Sequence, residues 1–90
     1  MSSPHQRDVD TAHLHPAVRK AARLIVEELN TEGFPFRIFE AFRSPQRQEF
    51  LYAQGRTRPG PIVTKARPWR SYHQYGLAID LVLFVNGQWS

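Results

Sequence analysis

His73 and Asp80 are the two side chains of this sequence best suited to chemistry, and Gly76 lies between them where the chain can bend back. Asp80 falls inside the apolar run Leu77 to Val85, which reads as a buried strand. A carboxylate in such a strand is costly unless something pairs with it. Strand residues two apart share a face, so Asp80 sits with Ala78 and Val82, and the small Ala78 leaves room beside the carboxylate. His73, arriving from the turn, can fill that room together with a cation. Imidazole and carboxylate are both ordinary zinc ligands. A buried His–Asp hydrogen bond is the other reading, and spacing does not choose between them, because two ligands do not make a metal site.

Several elements must position this pair. Pro16 presets a helix start, and Val18, Ala21, Ala22, Ile25, Val26 and Leu29 recur on one face, so a helix is expected over 16–31 with Gly33 as its stop. Its charges oppose the helix dipole, with Arg19, Lys20 and Arg23 early and Glu27, Glu28 and Glu32 late, so packing must hold it. Residues 36–42 alternate as a strand, with Phe36, Ile38 and Phe42 on one face; Glu40 interrupts that face. Ser44-Pro45 caps a shorter helix over 45–54, and Ile62 to Thr64 suggests a short strand. Asn86-Gly87 after the apolar run signals a hairpin. The expected fold is therefore α+β: a small, mainly antiparallel sheet containing 36–42 and 77–85, with helices packed on one side. Residues 1–13 lack periodicity and read as a flexible N-terminal arm, leaving 14–90 as the domain. His5 and His13 fall in that arm, where solvent-exposed histidines are commoner than ligands.

Composition narrows the function less than the motifs do. Ninety residues make one small domain, and with no cysteine there is no disulfide framework and no Cys-based zinc finger. No apolar run reaches the roughly 18 residues of a membrane span, and the polar N-terminus lacks the apolar core of a secretory signal. A net charge of +4 favours polyanions without choosing among nucleic acid, anionic lipid and the acidic polymers of a bacterial envelope. The run Lys65 to Arg70, with Arg56, Arg58 and Trp69, has the elements of a nucleic-acid contact, but such a run is more often a solvated loop around one packed tryptophan.

Ser71-x-His73-x-x-Gly76-x-Ala78-x-Asp80 resembles the signature of the M15 zinc peptidases, the D-Ala-D-Ala carboxypeptidase and dipeptidase group. Leu14-His15-Pro16, Phe42-Arg43-Ser44, Leu51 to Thr57 and Pro59-Gly60-x-x-Val63-Thr64-x-Ala66 extend the likeness toward the L-alanyl-D-glutamate peptidases of phage endolysins and their bacterial relatives. One departure is Arg70, where relatives tend to carry glycine. The resemblance implies that His73 and Asp80 bind Zn2+, that Arg43 binds substrate and steadies charge on the attacked carbonyl, and that Ser71 contacts substrate or orients the site. The implied partner is the peptidoglycan stem peptide, cut at an L-Ala-D-Glu or D-Ala-D-Ala type of bond, by a monomer that binds no nucleic acid. Such a protein, made in the cytoplasm, acts on the cell wall once exported or released.

A catalytic zinc normally takes three protein ligands, and the resemblance places the third, a histidine, and an acidic general base in a C-terminal segment. The Asn86-Gly87 hairpin also calls for a longer returning strand than Gln88, Trp89 and Ser90 supply. The expectation is thus the N-terminal part of an M15 domain, weak or inactive alone. The alternatives are a non-catalytic relative that holds zinc or wall peptide and, behind it, a basic nucleic-acid-binding module.

Overall fold

In the computed structural model, residues 4–90 are described. The first long helix, α1 (Pro16–Thr31), starts where its proline predicts, with His15 Nδ1 accepting the Ala17 N–H at 3.2 Å. It ends as its glycine predicts: Gly33 takes φ +91°, its N–H bonds Asn30 O, and the Phe34 N–H bonds Leu29 O at 2.8 Å. This pair of bonds satisfies carbonyls that the end of a helix otherwise leaves open. Asn30 then ties the helix to the sheet, donating to both Val26 O and Phe36 O.

Three antiparallel strands follow in the order β1 (Phe36–Glu40), β2 (Asp80–Val85) and β3 (Gln88–Trp89). With α1 and α2 (Pro45–Ala53) they form the expected α+β fold. The Asn86-Gly87 turn is the predicted one, with φ of +53° and +76°. Ser44 caps α2 by accepting the Arg47 N–H at 3.0 Å.

The strands are shorter than expected, and the difference matters for the site. β1 carries a bulge between Ile38 and Glu40, so that Ile38 pairs with Leu81 and Glu40, not Phe39, pairs with Asp80. Directly paired residues share a sheet face, so the bulge moves Glu40 off the face of Phe36 and Ile38 and sets it beside Asp80. Beyond it the chain leaves β2: the Ala41 N–H bonds Asp8 O at 2.7 Å, and the Arg43 N–H bonds His73 O at 3.2 Å. β2 begins at Asp80; Leu77, Ala78 and Ile79 lie outside it, so the carboxylate stands at the mouth of the strand and not in its middle. Residues 62–64 form no strand.

Of the segment read as an arm, residues 1–3 lie outside the described residues. The rest makes defined contacts: Arg7 stacks on Phe39 and donates to Phe39 O, Asp8 O accepts from Ala41, and a 3-10 helix runs Thr11–His13. No helix among the described residues is long and apolar enough to cross a membrane.

Candidate active site

The site is assembled by a turn, a strand start and a short polar helix. Ser71 accepts the His73 N–H and opens the 3-10 helix Tyr72–Tyr75, which Gly76 closes at φ +69°. Gly76 O accepts the His15 N–H at 3.0 Å, and a Cβ on Gly76 would stand 3.1 Å from that same nitrogen. The turn is therefore pressed onto the start of α1, and His73 is directed inward.

His73 is buried, and its two ring nitrogens face different partners. Nδ1 lies 2.8 Å from Ala41 O, and Nε2 lies 3.3 Å from Asp80 Oδ1. A carbonyl oxygen can only accept, so Nδ1 carries the hydrogen. A neutral His73 then turns the lone pair of Nε2 toward a carboxylate oxygen. Two acceptors in that position require a proton or a cation between them. An imidazole fixed through Nδ1–H to a backbone carbonyl, with Nε2 free to coordinate, is the usual preparation of a metal-binding histidine.

Asp80 has a half-exposed side chain. Its other oxygen accepts from Arg43 Nη2 at 3.1 Å. When His73 carries a second proton, its Nε2–H hydrogen bond holds the Asp80 carboxyl below the usual carboxylate range; burial opposes this, and the charges of His73 and Arg43 act with it.

Arg43 is nearly buried and heavily engaged. Nη2 also reaches Glu40 Oε1 at 3.1 Å, and Nη1 reaches Gln48 Oε1 at 3.1 Å. Its Nε is buried with no acceptor among the described residues. Glu40, fully buried, accepts from Arg47 as well, and so serves two guanidinium groups. Gln48 is wholly buried and uses its full amide: it donates to Ala66 O at 2.7 Å and Thr64 Oγ1 at 3.3 Å, and accepts from Arg43 and Gln74. Gln74 passes the link on, donating to Arg43 O and accepting from the Trp69 N–H.

The four residues expected to share a site are thus connected, though in unequal roles. Arg43 and Asp80 line a cleft of about 280 Å³ with Phe39, Glu40, Leu51, Val63 and Thr64 among its walls. His73 reaches it through Asp80, and Ser71 orients the His73 turn. The sequence reading left Glu40 unplaced, with a salt bridge to Arg43 as one option, and missed Arg47, Gln48 and Gln74. The only local signal was Glu40 itself, a carboxylate with no place in its strand pattern. His5 and His13 lie elsewhere, His5 against the Phe50 ring and His13 on Asp8. Among the described residues, no group of three or more His, Cys, Asp or Glu side chains gathers as a metal site. His73 and Asp80 provide two donors of the right chemistry. The arginines of the basic loop brace the fold: Arg56 stacks on Tyr52 and bonds Tyr52 O and Thr64 O, and Arg58 stacks on Phe50 and bonds Phe50 O.

Comparison with known proteins gives the family. Residues 11–88 match the family described as VanY, D-alanyl-D-alanine carboxypeptidase. The chain belongs to that family of M15 peptidases. It is also similar to the peptidoglycan L-alanyl-D-glutamate endopeptidase CwlK of Bacillus subtilis (strain 168), with 49% identity over 70 residues. That match covers 78% of this chain and 42% of the relative, so the chain spans less than half the length of the curated protein it resembles.

Proposed function

We propose that this chain carries the substrate-facing half of a zinc-dependent peptidase site for peptidoglycan stem peptides, with an L-Ala-D-Glu or D-Ala-D-Ala type of bond as its target. The observation that carries the reading is the arrangement of His73: Nδ1 is committed to Ala41 O, and Nε2 faces Asp80 Oδ1. His73 Nε2 and the Asp80 carboxylate would hold the metal. A zinc ion there supplies Lewis acidity toward a carbonyl and lowers the pKa of bound water. Arg43 holds the Asp80 carboxylate in place through Nη2, and its guanidinium charge stands at the cleft where negative charge would grow on a substrate oxygen. Ser71 holds the backbone turn that fixes His73.

Two donors fall short of the three that a catalytic zinc normally takes. We therefore expect the 90-residue chain by itself to bind zinc weakly and to turn over slowly. Calorimetric titration with zinc tests the site: uptake is expected for the native chain and should be lost in His73→Ala and in Asp80→Ala. Unchanged uptake in both variants would remove the assignment. Binding of stem peptide without turnover, in a protein with a complete ligand set, would instead favour a wall-binding relative. The internal engagement of Arg56 and Arg58 leaves little support for a nucleic-acid groove.

A further inference from the structure

Trp69 combines three properties that do not belong to an ordinary loop residue. It is a bulky side chain at φ +67°, a region that L-residues other than glycine enter at a cost. It is 53% exposed, so burial does not repay that cost. Its backbone is nevertheless fastened on both sides by the helix that carries His73. The Trp69 N–H bonds Gln74 Oε1 at 3.2 Å, and the Tyr75 hydroxyl donates to Trp69 O at 3.0 Å. The Tyr75 ring, itself 54% exposed, lies against the indole with centroids 5.5 Å apart. Gln74 is hydrogen-bonded in turn to Arg43 O and Gln48 Oε1, so the aromatic pair is held in fixed relation to the cleft. Thr64, earlier in the same loop between α2 and the 3-10 helix, is a wall of that cleft.

We infer that Trp69 and Tyr75 form a stacking subsite for the N-acetylamino-sugar that carries the stem peptide. The inference rests on the peptidoglycan reading above and adds the part of the polymer that is gripped outside the cleft. An exposed aromatic face takes up a flat, apolar group through its electron-rich surface. The peptide beside an L-Ala-D-Glu bond offers a methyl group and a carboxylate, neither of them flat and apolar. The adjoining pyranose does, through the C–H bonds on its ring face, and its lactyl group is joined directly to the first stem residue. Where the bond cut is of the L-Ala-D-Glu type, a sugar docked on Trp69 would anchor the peptide within a residue or two of the scissile bond.

Titration of the 90-residue chain with the N-acetylglucosamine trimer, and separately with the sugar-free peptide L-Ala-D-Glu-L-Lys, tests this by NMR on the two indole N–H signals. The trimer is expected to shift Trp69 saturably, with a dissociation constant up to about the millimolar range, and to leave Trp89 in place. Trp69→Gly suits the positive φ and so preserves the loop; it should weaken trimer binding, followed through the remaining backbone signals, by about tenfold or more. Trp69→Phe should retain part of it. The native chain should bind the trimer equally with added zinc and with EDTA, because the platform does not need the metal. No shift of Trp69 by the trimer, undiminished binding in Trp69→Gly, or a Trp69 response to the peptide alone would each overturn the inference. Loss of zinc uptake with trimer binding intact would count against the peptidase reading and leave the platform standing.

Discussion

A buried histidine beside an aspartate is common, and what separates His73 is the commitment of its far nitrogen to a carbonyl. The same logic of spent donors and acceptors applies to Gln48. Its carbonyl oxygen serves Arg43 and Gln74, and its amide nitrogen serves Thr64 and Ala66. Gln48→Leu, close in volume, strands a guanidinium N–H and an amide N–H where water does not reach. Each such group costs about 1–3 kcal/mol, so a loss of about 3 kcal/mol is expected in urea unfolding. A change below about 1 kcal/mol would mean that the network relaxes around the gap. None of this was legible in the sequence. Gln48 and Gln74 lie far apart in the chain, and glutamine has no periodic signature. His73 and Asp80 were legible because a carboxylate in an apolar run demands a partner, and the turn before it offered one.

At the scale of elements, what could be read was whatever is decided locally. The proline starts of α1 and α2, the glycine stop at 33 and the Asn86-Gly87 turn lie where their backbone chemistry puts them. The bulge in β1 was not legible, because it depends on which strand lies alongside. That bulge sets Glu40 opposite Asp80 and so builds the anionic side of the site. Gly76 belongs to the same scale, since it joins the His73 turn to the start of α1. Its φ of +69° and the 3.1 Å approach to His15 N both disfavour a Cβ. Gly76→Ala should cost about 1–2 kcal/mol from the backbone conformation alone, plus the displacement of His15. The expected result is a lower melting temperature together with weaker zinc uptake. Weaker uptake at unchanged stability would show that the turn moves without straining the fold.

At the scale of the whole molecule, the buried apolar residues among those described are Leu14, Ala22 and Ala41, whereas Glu40, Arg47, Gln48, His73 and Gln74 are buried and polar. A small domain with so polar an interior has a thin margin, and contacts at its periphery and at its site should both be visible in its stability. His13 is one such contact. Its hydrogen bond to Asp8, supported by the charges of Asp8 and Asp10, raises its pKa above the usual 6.5. A raised folded-state pKa means that its contribution is present below pH 6.5 and disappears as pH climbs through the folded value. His13→Gln should therefore be less stable than the native chain at about pH 5.5 and equal to it at about pH 9. A difference that grows with pH would contradict the assignment.

The same thin margin makes zinc a stabilising ligand that can be read without any assay of turnover. A metal that binds only the folded chain adds RT ln(1 + [L]/Kd), about 2.7 kcal/mol at one hundred times the dissociation constant. For a domain of this size, 1 kcal/mol moves the melting temperature by roughly 4–8 °C, so saturating zinc should raise it by about 10–20 °C. The rise should follow zinc concentration logarithmically and vanish in His73→Ala and Asp80→Ala. Gln48→Leu, which loosens the support of Arg43 but keeps both donors, should melt lower and still respond to zinc. An equal rise in the native chain and in His73→Ala would place the bound zinc at other side chains. The candidate centre would then be an ordinary imidazolium–carboxylate pair.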